Sequence, residues 1–167
     1  MRFASAVGAA TLAAGLGATP GALAAGACSA RSNWGVATPG FERQVLTLVN
    51  QHRRAMGLRS LRRSPSLARA ARWKSKHMAR YGYFEHADPS GRSPFQRMAD
   101  CGFKSRRALG ENIAAGQRSP LSVVRAWLNS PGHRANIETA AFRFTGIGAV
   151  HRGGSVYGWY WTQDFGR

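Results

Sequence analysis

Histidines and acids come first, because they are few: five histidines and seven acids in 167 residues. In "LNSPGHRANI" (residues 128–137) one helix stops at Leu128-Asn129 and Ser130-Pro131 opens another. His133 therefore falls in a first helical turn, where the helix dipole disfavours an imidazolium. A neutral ring at that place can bind a metal or accept a hydrogen bond. His86 lies in "YFEHADPSGRSP", a loop between two helical stretches. His52 and His77 sit inside helices at core-edge spacing and His151 sits beside a turn, so these three read as structural or solvated. Among Glu42, Glu85, Asp88, Asp100, Glu111, Glu138 and Asp164, Glu111 stands out. Its segment "LGENIAAG" (109–116) has few other ionisable groups and glycine near each end. A carboxylate held in such a turn is a loop anchor or a ligand. The chain has no HExxH, no paired-cysteine zinc spacing, no GxSxG and no P-loop.

The elements that must position these residues are marked by proline. All seven prolines follow Ser, Thr or Asp, and four form Ser-Pro pairs: Ser64-Pro65, Ser93-Pro94, Ser119-Pro120 and Ser130-Pro131. Serine caps free N–H groups of a first turn and proline fits the first helical position, so each pair predicts a helix start. An earlier helix is expected over 39–56, with Val45, Leu48, Val49, His52 and Met56 on one face and Gly57 ending it. The helix from Pro65 carries Leu67, Ala70, Ala71, Lys74, His77 and Met78 and stops near Gly82. The helix from Pro94 is short and ends at Cys101-Gly102. The helix from Pro120 carries Val123, Val124, Trp127 and Leu128. The chain then changes character: "TGIGAV" and "SVYGWYWTQDF" are rich in β-branched and aromatic residues, and Arg152-Gly153-Gly154-Ser155 suits a tight hairpin turn. Helices followed by an antiparallel hairpin predict an α+β domain. Residues 25–38 read as an irregular arm.

Residues 1–24 read as a signal peptide: Arg2, then an uncharged apolar run from Phe3 to Ala18, then Ala22-Leu23-Ala24 before Ala25. The run is short and weakly apolar for a membrane anchor. Export to the periplasm or the medium follows, with a soluble mature chain. The two cysteines, Cys28 and Cys101, can then pair; the rival reading has Cys28 lipidated, although the usual leucine three residues before it is absent. With 24 Lys+Arg against 7 Asp+Glu, net +17, the chain favours polyanions: nucleic acid, anionic lipid or acidic wall polymer. Export argues against nucleic acid.

Several segments together resemble a known family. "LVNQHRRAMGLRSLRRSPSLARAARWKSKHMARYGYFEHADPSGRSPFQRMADCGF", "LGENIAAG", "VVRAWLNSPGHRANI" and "GWYWTQDFG" occur in the order seen in bacterial CAP (SCP) domains. These are relatives of cysteine-rich secretory proteins, antigen 5 and pathogenesis-related proteins of group one. The resemblance covers residues 41–166, so the organisation expected is a signal peptide (1–24), an arm (25–40) and a CAP domain (41–167). It implies a three-layer α-β-α sandwich around a small antiparallel sheet, with a third strand around Asn112-Ile113-Ala114.

It also implies a pocket of two histidines and two acids, which binds zinc or another divalent cation in some relatives. By the matching motifs His86 and His133 are the histidines and Glu111 is one acid, with Asn112 beside it. The second acid would lie near Ser130, one turn after Trp127, where this chain has none. The segment "ETAAFRF" is a further departure, longer than usual. Two histidines and one carboxylate would hold zinc with an open position, but Glu111 cannot easily serve as both ligand and general base.

The function expected is a secreted, monomeric binding module with a His/Glu pocket and a basic surface, for an anionic lipid, a sterol-like molecule or a cell-wall polymer. The alternative is a metal-dependent peptidase or esterase using His86, Glu111 and His133.

Overall fold

The computed structural model describes residues 28–105 and 107–167. The expected signal peptide and the first residues of the arm lie outside them. No helix among the described residues is long and apolar enough to cross a membrane.

Five α-helices form where the proline signals predict them: α1 (Pro39–Ala55), α2 (Pro65–Tyr81), α3 (Pro94–Asp100), α4 (Pro120–Asn129) and α5 (Pro131–Glu138). The Ser64, Ser93 and Ser119 side chains each accept a bond from the third backbone N–H of the helix that follows. Ser130 differs. Its backbone is extended at the N-cap of α5, but its side chain makes no capping bond, so Pro131 alone marks this start. Met56 falls beyond α1 and is exposed, whereas Val45 and Val49 of the expected face are fully buried.

Five strands form one sheet: β1 (Val36–Ala37), β2 (Arg62–Arg63), β3 (Leu109–Ala115), β4 (Phe144–His151) and β5 (Trp159–Gly166). The order is β1-β4-β5-β3, and all these neighbours run antiparallel; β2 pairs in parallel with β4. β3 is longer than the expected 112–114 and takes in Glu111, which therefore sits on a strand, not in a turn. The β4–β5 connection spans residues 152–158 instead of a tight turn at 152–155. Within it the Arg152 N–H donates to the Gly158 carbonyl at 2.8 Å.

The strands alternate between two layers. Ile147 and Ala149 of β4, Trp161 and Phe165 of β5 and Ala114 of β3 pack with Val45, Val49, Val123, Val124, Trp127 and Ile137, the inward faces of α1, α4 and α5. The opposite side chains, Val150, Tyr160 and Ile113, pack on Met78 and Ala79 of α2. The result is a three-layer α-β-α sandwich. On the α2 side, β4 carries Gly146 and Gly148. A Cβ at Gly146 would lie 2.0 Å from the Leu67 carbonyl carbon, and one at Gly148 would lie 2.3 Å from the Ala71 oxygen. Helix backbone thus rests directly on strand backbone, and Ser75 Oγ donates to the Gly148 carbonyl at 3.0 Å.

The arm is docked, not loose. Cys28 is disulfide-bonded to Cys101, so it is not the free thiol that lipidation requires. Closing a loop of this length stabilises by about 4 kcal/mol in the chain-entropy treatment. Ser32–Trp34 form a 3-10 turn and β1 follows, so the arm is only partly irregular. Trp34 packs edge-on against Trp73, His77 and Tyr81.

Two outcomes follow from this packing. Gly148→Ala puts a methyl group into helix backbone and should destabilise by at least about 3 kcal/mol, read as a fall in the urea midpoint at unchanged slope. His77 is held neutral, its pKa lowered to about 4 chiefly by burial. The unfolded chain therefore binds one more proton than the folded chain between pH ~6.5 and ~4. Stability should fall by about 3 kcal/mol as pH drops through that window, and His77→Gln should flatten the slope in pH-dependent denaturation.

Candidate functional site

β3 is an edge strand, and its alternation decides which residues meet. Glu111 faces the α2–α3 layer, as Ile113 does. Asn112 faces the α4–α5 layer, as Ala114 does. The loop between α2 and α3 brings His86 to the first side, and its Nδ1 lies 2.9 Å from Glu111 Oε1. A carboxylate can only accept, so Nδ1 is the donor of this bond. The His86 side chain is 53% exposed and that of Glu111 is 2% exposed. The other Glu111 oxygen, Oε2, accepts from Arg97 Nη2 of α3, whose side chain is fully buried.

His133 comes from the other layer. Asn112 Nδ2 donates to its carbonyl at 3.1 Å. Asn136 Nδ2 donates to Asn112 Oδ1 at 2.9 Å and to the Glu111 carbonyl at 3.2 Å. Asn136 thus fastens α5 across β3. The His133 pKa is lowered by burial first and by the nearby His86 second. Asn112 is buried as structural glue. Arg134 is exposed and makes no ion pair among the described residues. Gly132 is not needed for close approach, since a Cβ there would meet nothing within 4 Å.

The structure therefore brings His86 to Glu111 and sets His133 within electrostatic reach of His86. It does not converge the three as ligands. No group of three or more His, Cys, Asp or Glu side chains among the described residues is placed to hold a metal ion. Both Glu111 oxygens are engaged, and a cation there would stand beside the Arg97 guanidinium. This donor set as arranged does not fit a divalent ion.

A second carboxylate does lie against Glu111, although not near Ser130. It is Asp164, directly opposite Glu111 in the β3–β5 register. Asp164 is fully buried, and neither side-chain oxygen has a standard hydrogen-bond partner. Its pKa is raised well above the usual carboxylate range by burial and then by the Glu111 charge. Burial and the neighbouring carboxylate thus both favour the protonated form of Asp164. Lys74 completes the cluster. Its ammonium donates to the His86 and Ala87 carbonyls at 2.9 and 3.1 Å and to the Tyr83 hydroxyl at 3.2 Å. Burial lowers its pKa to about 8. The Tyr83 hydroxyl lies 2.8 Å from His77 Nδ1 and shares a hydrogen bond with it.

The loop after His86 is braced by Asp88, whose Oδ1 accepts from Ser90 N and Arg92 N and whose Oδ2 accepts from Arg92 Nε. Burial alone would raise the Asp88 pKa, but the Ser90 and Arg92 bonds bring it down to about 2. His52 meets Glu138 at 2.8 Å, joining α1 to α5. Of these partners, Asp164 and Arg97 were missed by sequence reasoning. The signal was the strand "GWYWTQDF", an acid and an amide at the end of an otherwise apolar run.

The fold is that of a CAP (SCP) domain, and comparison with known proteins agrees. Residues 46–165 match the model of the cysteine-rich secretory protein family. The chain belongs to that family. It is 42% identical over 125 residues to YkwD of Bacillus subtilis, covering 75% of this chain and 46% of that protein. It is 31% identical over 124 residues to the membrane protein YlbC of the same organism, covering 74% and 34%. The chain thus spans less than half the length of these curated relatives. An extracellular protein containing an SCP domain from Bacillus anthracis superposes with a TM-score of 0.69 at 30% identity, over 77% of this chain and 41% of that one. An outer surface protein of Borrelia burgdorferi superposes at 0.70 with 20% identity, over 80% and 98%, a likeness of fold alone.

The two carboxylates should respond oppositely to neutralisation. Glu111→Gln strands the buried Arg97 charge and should cost about 3–5 kcal/mol. Asp164 binds its proton more tightly folded than unfolded, so it subtracts stability as pH rises above ~4. Asp164→Asn should therefore leave the neutral-pH melting temperature unchanged or raise it, measured by thermal denaturation of both variants.

Proposed function

We propose that the chain is a CAP-domain binding module that acts outside the cytoplasm and engages an anionic or lipid-like envelope ligand through its basic surface. The observation that carries this reading is where the acids go. Glu42, Asp88, Asp100, Glu111 and Glu138 are each taken up in ion pairs, and Asp164 is fully buried. Of the seven acids in the chain, only Glu85 is exposed without an ion pair. The exposed arginines therefore project a nearly uncompensated positive field, which draws polyanions and anionic lipid surfaces. The extracellular description of the Bacillus anthracis protein supports a place outside the cell. Export would rest on the leader in residues 1–24.

The competing reading is a metal-dependent hydrolase on His86, Glu111 and His133, favoured by the electrostatic proximity of the two imidazoles. It requires Glu111 to release His86 and a cation to sit beside Arg97, which is why binding is preferred.

Vesicle co-sedimentation checks the proposal. The mature protein should be retained on phosphatidylglycerol-containing vesicles in ~0.15 M salt, progressively less as salt rises, and the His86→Ala/His133→Ala variant should be retained equally. Zinc titration calorimetry is the companion measurement. A one-site isotherm lost in the double variant would establish a metal pocket, and zinc-dependent ester or peptide hydrolysis lost in the same variant would overturn the binding reading in favour of the hydrolase.

A further inference from the structure

Two adjoining hollows lie on the side of the molecule where β2, the end of α3 and the following loop meet. One is apolar, a groove of about 460 Å³ lined by Phe95, Ala99, Phe103 and Leu109. The other is basic, a cleft of about 510 Å³ lined by Arg62, Arg63, Lys104 and Arg167. They share Phe103 and Ser105, so one runs into the other. Each has the size of an ordinary small-molecule site.

Neither hollow is lined by an acid. None of the four cations takes part in an ion pair among the described residues. Arg62, Arg63, Lys104 and Arg167 are all exposed. Phe95 is 49% exposed although it is a large apolar side chain. β2 is placed by pairing with β4, where Arg62 aligns with Phe144 and Arg63 with Thr145, and both arginines line the cleft. The Arg62 guanidinium also lies over the Phe144 ring, 5.8 Å from its centre. Ser64 and Ser66 add hydroxyls to the cleft floor.

We propose that this continuous pair of hollows is a site for one anionic lipid: its phosphate on Arg62, Arg63 and Lys104, and its acyl chain along Phe95, Ala99, Phe103 and Leu109. Charge complementarity selects the occupant. A soluble polyanion would satisfy the arginines but leave the groove wet, and a neutral sterol-like molecule would fill the groove but leave the cations unmet. An acidic amphiphile satisfies both at once. The site rests on the binding-module reading and deepens it, since it names the ligand class and the residues. It is separate from His86 and Glu111.

The test is calorimetric titration with dodecyl phosphate below its micelle concentration, with inorganic phosphate and the neutral dodecyl maltoside as separate arms. Dodecyl phosphate should bind one site more tightly than either. Arg62→Gln/Arg63→Gln should weaken it by about tenfold or more, and Phe95→Ser by about fivefold. The charge-matched Arg118→Gln/Arg125→Gln variant, altered in exposed arginines far along the sequence from the cleft, should stay within about twofold. Equal losses in the two arginine double variants would overturn the site in favour of diffuse attraction. Inorganic phosphate binding as tightly would remove the groove, and dodecyl maltoside binding as tightly would remove the cleft. Vesicle retention separates the two levels. If wild type is retained and Arg62→Gln/Arg63→Gln is retained equally, the site fails and the module reading stands. If only wall polymer retains the wild type, the lipid assignment fails. If nothing retains it, both fail.

Discussion

The bare backbone of β4 is the constraint on which the rest depends. Side chains ordinarily keep a helix some distance from a sheet, but Gly146 and Gly148 let α2 settle until its carbonyls touch the strand. That depth puts Ser75 within reach of both the Gly148 carbonyl and Thr162. It also carries Lys74, one residue earlier, down to the carbonyls that shape the His86 loop. The half-buried histidine above the sheet is thus positioned from below, by a glycine pair in another segment of the chain.

The same depth explains the electrostatics of the centre. Asp164, opposite Glu111 on β5, and the cations Lys74 and Arg97 are enclosed with no route to water. Two carboxyls so close cannot both ionise cheaply, so the proton stays on the one with no guanidinium partner. Arg97, Glu111 and His86 form one chain of contacts from the buried centre to the surface. Such a cluster is a weak source of net stability, because desolvation offsets most of the attraction. Its effect is to fix rotamers.

Much of this architecture was legible along the chain because its signals are local. A serine followed by proline specifies a first turn whatever surrounds it, and four of the five helix starts were readable for that reason. Trp159–Gly166 announced itself by composition. β3 did not: "LGENIAA" has small residues where a strand usually shows branched ones, and its identity as a strand depends on the partner β5. β2, only two arginines long, exists because β4 offers a free edge. In the site, His86, Glu111 and His133 were nameable from motif order. Their division between two faces of an edge strand, and the companionship of Asp164, come from register, which no window of sequence contains. Ser130 shows the limit of the proline rule: the residue type was right, yet its hydroxyl plays no part in the cap.

The near-complete withdrawal of carboxylates from the surface leaves a coat of guanidinium groups, since all but three of the basic residues are arginine. Guanidinium does not surrender its proton below pH ~12. Acidification or alkalinisation of the surroundings over any range a cell envelope meets leaves the outward charge almost constant. The molecule is in this sense a fixed electrode: the reach of its field is set by ionic strength, and acidity has almost no hold on it.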